Sequence, residues 1–326
     1  MPQNWIRQCS LIVTDEKGEG IELSAFRTTF SISWPDTRWP RTAVFKVWNL
    51  KPETVNRIQA DEFARVQLMA GYQDNTGLIF TGNIRYSLTG RDNPTDTFVM
   101  IQAVDAHDAY DYATLNTTLG AGHTQAEQHQ TLLTGLAPYG IVKGTTPDFE
   151  ATRFPRGKTY FGMARDAIDN LAGQCRASWQ YINGQLVMVP EETYVQEAVV
   201  LNSATGLIGL PQQTIEAGVN VRCLINPTIQ VNGLILLDEA LVYRTMLPER
   251  DIAAVPGRIG TVNHGSVQQT EGALSPPASL ATDGAYIVKN ITYSGDTRGK
   301  AWYMDLVCVA KGAADLMKTS TLNKVG

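Results

Sequence analysis

Histidine and cysteine are scarce in this chain of 326 residues, with four of each. Cys9, Cys175, Cys223 and Cys308 lie far apart and form no CxxC pair. That removes the thiol-based zinc and redox motifs and reads as four core or near-core thiols in a reducing compartment. The histidines are His107, His123, His129 and His264, and no HExxH is present. His123 and His129 are six apart, which is not a same-face metal spacing on a helix. GxSxG, the P-loop and a GxGxxG ahead of a helix are also missing. No apolar run approaches the ~18 residues of a transmembrane helix. The N-terminal run, Leu11 to Val13, is only three residues long, so no secretory signal is visible and assembly in the cytoplasm is expected. Positive charge is not in excess either. Lys and Arg number 27 against 32 Asp and Glu, for a net charge of −5, which argues against a nucleic-acid binder.

What the chain does have is apolar residues in short alternating runs. They make up 43% of the residues, enough for real cores, and the length suggests two or three domains. The stretch from Ala43 to Ile84 organises the rest. In Ala43–Leu50, Phe45 and Val47 face one way and Val44, Lys46 and Trp48 the other. Pro52 suits the first position of a short helix with Val55 and Ile58 on its apolar stripe, ending at Asp61 or Glu62. Val66, Leu68 and Ala70 then share a strand face. Asp74–Gly77 reads as a turn. Leu78, Phe80, Gly82 and Ile84 alternate with Ile79, Thr81 and Asn83. The pattern predicts a strongly twisted antiparallel sheet or small barrel with one helical plug.

Around that stretch, Ile6–Val13 and Ile21–Ser33 read as strands. The loop Trp34–Pro40 carries two tryptophans that either lean on a sheet edge or touch a partner. Thr97–Asp105 is a further strand, so residues 1–110 form one β-rich domain. Period and composition change after Asp111. Thr124 and Glu127 make a capping box for a helix to about Ala137, and a second helix is predicted over Thr159–Cys175. A hairpin follows, turning at Asn183-Gly184. Residues 111–199 therefore read as a small α+β domain. Beyond it, Leu201–Pro211 is a turn-rich connector. Gly218–Ile225, Thr228–Leu237 (broken at Asn232-Gly233), Ala285–Tyr293 and Ala301–Val309 are strand candidates, and Asp238–Met246 is a short helix or an irregular strand. Residues 248–282 form the longest loop candidate, and 313–326 a flexible tail. The fold class is mainly β with an α+β middle domain.

Positive signs of chemistry are few. Asp105, His107, Asp108 and Asp111 cluster after a strand and would either meet a cation or simply cap the next helix. Glu22, Glu53, Glu62, Glu127, Glu150 and Glu216 could supply a glycosidase pair only if two of them faced each other. No catalytic residue, metal or cofactor is assigned. Aromatic residues and arginine dominate interface energetics, so Trp34, Trp39, Trp48, Tyr72, Asp296, Arg298 and Trp302 are the candidate interface residues. In the Ser294–Lys300 turn, an Asp296–Arg298 pair either holds the turn or meets a partner.

An ordered set of segments carries a resemblance: FKVWNL (Phe45–Leu50), AGY with GLIFTG (Ala70–Tyr72, Gly77–Gly82), TGLIGLP (Thr205–Pro211), GVNVRCLINP (Gly218–Pro227), and DGAY with SGDTRG (Asp283–Tyr286, Ser294–Gly299). The sequence resembles the central baseplate hub proteins of contractile-tailed bacteriophages. The resemblance implies a non-enzymatic virion protein with two tube-like β-barrel domains, 1–110 and 200–312, flanking the α+β domain. It further implies a homotrimer that adapts the six-fold tail tube to a three-fold spike. The implied partners are the spike protein, the tail tube or its initiator, and other baseplate proteins. The host envelope would be touched transiently, and phage DNA would pass through without specific binding. Two other functions stay open: a peptidoglycan-degrading tail enzyme, and a ring-forming tube-like component that holds no spike.

Overall fold

A computed structural model describes residues 6–15, 17–60, 62–190, 193–194, 198–213, 218–237, 260–263, 266–269 and 284–311. The first region holds β1 (Arg7–Thr14), β2 (Gly20–Glu22), β3 (Thr28–Pro35), β4 (Thr42–Trp48), α1 (Pro52–Gln59), β5 (Arg65–Tyr72), β6 (Asn75–Arg91) and β7 (Thr97–Val104). The middle region holds α2 (His107–Tyr112), β8 (Thr114–Leu119), α3 (Gln125–Leu136), β9 (Val142–Lys143), β10 (Lys158–Met163), α4 (Ala164–Gln174), β11 (Ala177–Ile182) and β12 (Gln185–Pro190). The last region holds β13 (Val199–Leu201), β14 (Leu207–Gln213), β15 (Val219–Leu224), β16 (Leu234–Leu237), β17 (Gly260–Asn263), β18 (Ser266–Gln269), β19 (Ala285–Asp296) and β20 (Trp302–Ala310). The chain is mainly β, with large antiparallel sheets and an α+β region between its two β-rich parts.

One 13-stranded sheet runs through both β-rich regions, in the order β14-β15-β20-β19-β3-β4-β7-β6-β5-β1-β2, with β13 and β16 branching from β19. The two regions meet where β19 pairs antiparallel with β3, Tyr293 opposite Ile32 and Gly295 opposite Phe30. Alternate residues of nearly every strand enter one hydrophobic core, which holds Phe45, Phe80, Ile101, Val221, Tyr293 and Met304 together. The strip curls so that its far end returns to the β19–β20 turn. Arg7 on β1 donates to the carbonyls of Gly299 and Lys300, and Trp302 Nε1 donates to Gly71 O at 3.3 Å. Glycine is required at Gly77, because a Cβ there would lie 2.8 Å from Pro227 Cβ. The middle region has a separate core around Leu132, Ile168, Trp179 and Met188. Among the described residues no helix is long and apolar enough to cross a membrane.

The expected alternation in β4 is present, with Phe45 and Val47 buried, and β7 likewise buries Val99 and Ile101. Pro52 opens α1, which buries Ile58, and the Thr124–Glu127 capping box is complete. Asn183 and Gly184 take φ of 52° and 76° at the β11–β12 turn, the left-handed pair a tight hairpin needs.

Five expectations are corrected. The strand expected over Ile21–Ser33 breaks after Glu22, because Leu23 N–H turns back to Leu11 O and Phe26 N–H to Leu23 O. The β5–β6 turn is not Asp74–Gly77: Tyr72 pairs with Asn75, so only Gln73 and Asp74 turn. A register shift between Leu68 and Met69 then sends Leu78 outward while Phe80 stays buried, so the two do not share a face. The helix expected from Thr159 begins at Ala164, since Lys158–Met163 is a strand paired with β8. The connector expected at Leu201–Pro211 contains most of edge strand β14. Asp238–Met246 and the 313–326 tail lie outside the described residues. Within 248–282 only the β17–β18 hairpin is described.

Phe45 has no exposed surface, and its ring centroid lies 5.9 Å from that of Phe80. Phe45→Ala is therefore expected to cost about 3–5 kcal/mol in denaturant unfolding. An unchanged midpoint would remove this residue from the core.

Candidate assembly surfaces

The α+β region is fastened to the sheet by a buried charge pair. Arg41 and Asp105 sit at the start of β4 and the end of β7, each with a 2% exposed side chain. Asp105 Oδ2 accepts from Arg41 Nε at 2.9 Å, from Arg41 Nη2, and from the backbone N–H of Asn183 at 2.9 Å. Arg41 also donates to Asn183 Oδ1 at 2.6 Å and to Ile79 O at 3.3 Å. Its guanidinium lies over the Trp34 ring at 4.6 Å. The Asn-Gly turn legible in the sequence is thus also the docking point of the middle hairpin.

Two flanking contacts widen this joint. Trp34 Nε1 donates to Gln180 Oε1 at 2.8 Å, and Gln180 Nε2 donates to the carbonyls of Pro35 and Thr37. Lys289 on β19 donates to Asp36 and Asn232 at 2.7 and 2.8 Å. The Trp34–Thr37 segment is therefore held by β11 on one side and by the last region on the other.

Of the residues the sequence offers as interface candidates, most are engaged inside this chain. Trp34, Trp48, Tyr72, Asp296 and Trp302 are buried. Trp48 Nε1 donates to Asp92 Oδ2 at 2.7 Å beneath Arg27. Trp302 packs edge-on against Phe30, 5.4 Å between centroids. The expected Asp296–Arg298 side-chain pair is replaced. Asp296 pairs with Arg27 at 2.8 Å, and Arg298 Nη2 donates to Ala25 O. Asp296 also accepts from the Arg298 backbone N–H at 2.9 Å, which holds the turn. Burial alone would raise the Asp296 carboxyl, but Arg27 and the N–H groups of Arg298 and Gly299 hold it below the usual carboxylate range. Trp39 and Arg298 remain exposed, Trp39 by 59%.

The acidic cluster is divided among structural roles. Asp105 serves Arg41. Asp108 accepts from Asn83 at 2.8 Å, and Asp111 faces His107 and Arg165 at 3.2 and 3.3 Å. Among the described residues no group of three or more His, Cys, Asp or Glu is placed to hold a metal. The glutamates are scattered: Glu22 bonds Ser10 and Ser24, Glu62 bonds Arg57, and Glu127 caps α3. Glu216 lies outside the described residues. A cleft of about 250 Å³ between β11–β12 and residues 230–232 is lined by Thr145, Ser178, Gln180, Asn183, Gln185 and Asn232, with Trp179 and aliphatic neighbours. Among the described residues that line it, no ionisable side chain could act as an acid or base. Burial pushes the Cys9 and Cys223 thiols up to about 12 and raises that of Cys308 well above the ordinary thiol value, so none is a ready nucleophile.

The surface the sequence did not reveal is the outer face of the shared sheet. Ser31, Ser33, Thr42, Thr292 and Ser294 lie side by side across β19, β3 and β4, opposite the core. Two charge pairs flank it, Arg222 with Asp305 and Lys46 with Asp92. Apolar side chains are exposed toward both ends of the strip: Ile208 and Leu210 on β14, and cross-strand neighbours Met69 and Leu78 on β5 and β6. Strand alternation flags such outward residues only once the register is known.

A family model described as baseplate hub gp41 matches residues 43–241. Among solved structures, the chain is similar to a 43 kDa tail protein of prophage MuSo2 from Shewanella oneidensis. The TM-score is 0.57 and the identity 9%, over 94% of this chain and 98% of that one. It is also similar to a tail protein from Neisseria meningitidis MC58, with TM-score 0.54, 8% identity, and coverage of 94% and 98%. A third neighbour is an E. coli component of the type VI secretion system, itself described as structurally similar to T4 bacteriophage tail proteins gp27 and gp5. That likeness has TM-score 0.51 and 9% identity over 95% of this chain and 78% of that one. At such identities the likeness is one of fold. No curated protein matches the chain.

Removing one partner of the buried pair leaves an uncompensated charge. Asp105→Ala is expected to cost about 3–5 kcal/mol in equilibrium unfolding. Glu62→Gln at the exposed Arg57 pair is expected to leave the midpoint unchanged. Thiol labelling at pH 8 should reach Cys223 and Cys308 only after denaturation.

Proposed function

As the chain belongs to the baseplate hub gp41 family, we propose that it forms the trimeric structural hub at the tip of a contractile phage tail. In this reading three chains adapt the six-fold tube to the three-fold spike, and DNA leaves through their centre. The observation that carries the reading is the β3–β19 pairing. It fuses two β-rich halves into one wall, so each chain brings two sheet segments and three chains bring six. The boundaries near residues 110 and 200 then separate two tube-like halves from a decorating α+β domain.

The free edges support a ring. Among the described residues β14 and β2 end the sheet without a further strand, and an exposed edge invites pairing with another chain. Head-to-tail contact between copies, with Ile208 and Leu210 of one approaching Met69 and Leu78 of the next, closes on itself when the rotation is one third of a turn. Trp39 and Arg298 remain candidate contacts for spike or tube. Trp34, Trp48, Tyr72, Asp296 and Trp302 would act by shaping the surface from beneath.

The wall chemistry suits passage of a polyanion. Phosphate binding rises with every lysine or arginine free to release counterions. The hydroxyl face offers none in its central band, and Arg222 and Lys46 beside it are already paired. The role is mechanical: sheath contraction drives tube, hub and spike through the host envelope. The protein would act in the virion, after assembly in the host cytoplasm with the spike, the tube or its initiator, and other baseplate proteins.

Co-expression with the spike gene and mass measurement test this. The expected product is a particle of three 35.7 kDa chains, about 107 kDa before spike is added, with a central hole in negative stain. Leu210→Arg should abolish the ring and leave the circular dichroism unchanged. A hub that stays monomeric beside both spike and tube proteins would overturn the reading.

A further inference from the structure

The middle region contains a buried polar row that the assembly reading does not use. His123, Gln128 and His129 line the start of α3 and are 6%, 0% and 3% exposed. The Nε2 atoms of all three have no protein hydrogen-bond partner. Residues 144–157, an extended segment without helix or strand, lie across them. Phe154 stacks on the His123 ring at 5.0 Å and 19°, and Phe149 meets the His129 ring at 5.2 Å. The backbone supports the same contact. Phe154 N–H donates to His123 O at 2.9 Å, Gly122 N–H donates to Phe154 O at 2.7 Å, and Glu150 N–H donates to Gln125 Oε1 at 3.2 Å.

His123 Nδ1 lies 2.8 Å from Gly120 O. A carbonyl can only accept, so Nδ1 carries the proton and Nε2 of the neutral ring keeps a buried lone pair. We propose that residues 144–157 form an acid-released strap: proton uptake by His129 loosens it from α3 and bares Phe149 and Phe154.

The surroundings oppose a charged ring. The start of α3 is the positive end of its dipole. Of the elements near α3, β9 brings Lys143 and β10 brings Lys158, while α4 brings Arg165, Asp166 and Asp169. The strap brings Asp148, Glu150, Arg153 and Arg156, and α3 itself brings Glu127. No carboxylate among them pairs with either ring. Glu127 is taken by the cap, and Asp169 is taken by Arg38 and Trp179. Burial, then Lys143, lowers the proton affinity of His129 below that of a free imidazole. A ring held neutral in the closed state and free to titrate in the open one favours closure above the ordinary histidine value of about 6.5. That preference is lost as the pH falls below it.

Hydrogen–deuterium exchange of the full chain at pH 7.5 and 5.0, corrected for intrinsic rates, reads the strap directly. Protection of peptides within 144–157 should fall at pH 5.0, by at most roughly 30-fold for the His129 ring, while β11–β12 peptides hold. The His123→Phe/His129→Leu double variant should keep the strap protected at pH 5.0. Unchanged protection in the parent chain, or equal loosening in the double variant, overturns the proposal. If the double variant does not fold, the imidazole of His129 can be titrated by NMR in the parent chain. A midpoint at or above about 6.5 would likewise overturn it.

Discussion

A guanidinium removed from water must be met on every side, and Arg41 is the point where this chain has to satisfy that demand. Its partners come from three places distant in sequence: Asp105 at the end of β7, the carbonyl of Ile79 on β6, and Asn183 in the turn of the middle hairpin. The aromatic face of Trp34 covers it. Each of these groups is correctly placed only when the first sheet, the Trp34–Thr37 segment and the α+β region are docked together. A buried pair of this kind adds little net stability over a well-packed apolar substitute, but it penalises any arrangement that leaves one partner alone. It therefore fixes how the middle region sits on the sheet.

That docking bears on the β3–β19 junction. β3 ends at Pro35, and the residues just after it are held by Gln180 of β11 and by Lys289 of β19. The strand that joins the two β-rich halves is thus anchored where the middle region attaches. With the joint in place, one core runs through both halves, and the central band of the opposite face is left to small hydroxyl side chains with the Arg222–Asp305 and Lys46–Asp92 pairs beside it.

The aromatic residues show how an interface reading from sequence can be half right. A tryptophan in a Pro-flanked loop and a Gly-flanked Asp–Arg turn are reasonable contact signals. In the folded chain Trp34 and Trp302 close internal seams, and Asp296 turns to Arg27, more than 260 positions away in sequence. Their indole N–H groups have partners within the chain. Trp39, in the same loop as Trp34, is left outside.

The sequence by itself determined the local units: the alternation that buries Phe45 and Val99, the capping box at Thr124, the Asn183-Gly184 hairpin, and the division into β-rich, α+β and β-rich regions. These depend on side-chain periodicity and backbone preference over a few residues, and such signals survive without knowledge of neighbours. Only the tertiary structure decided the rest. Lys158–Met163 became a strand because Thr114–Leu119 lay ready to pair with it. Leu78 turned outward because a bulge changed the phase of β6 against β5. The two halves became one wall because β19 chose β3. Strand pairing is a contract between distant segments, and its hydrogen bonds carry no mark of the partner in either sequence alone.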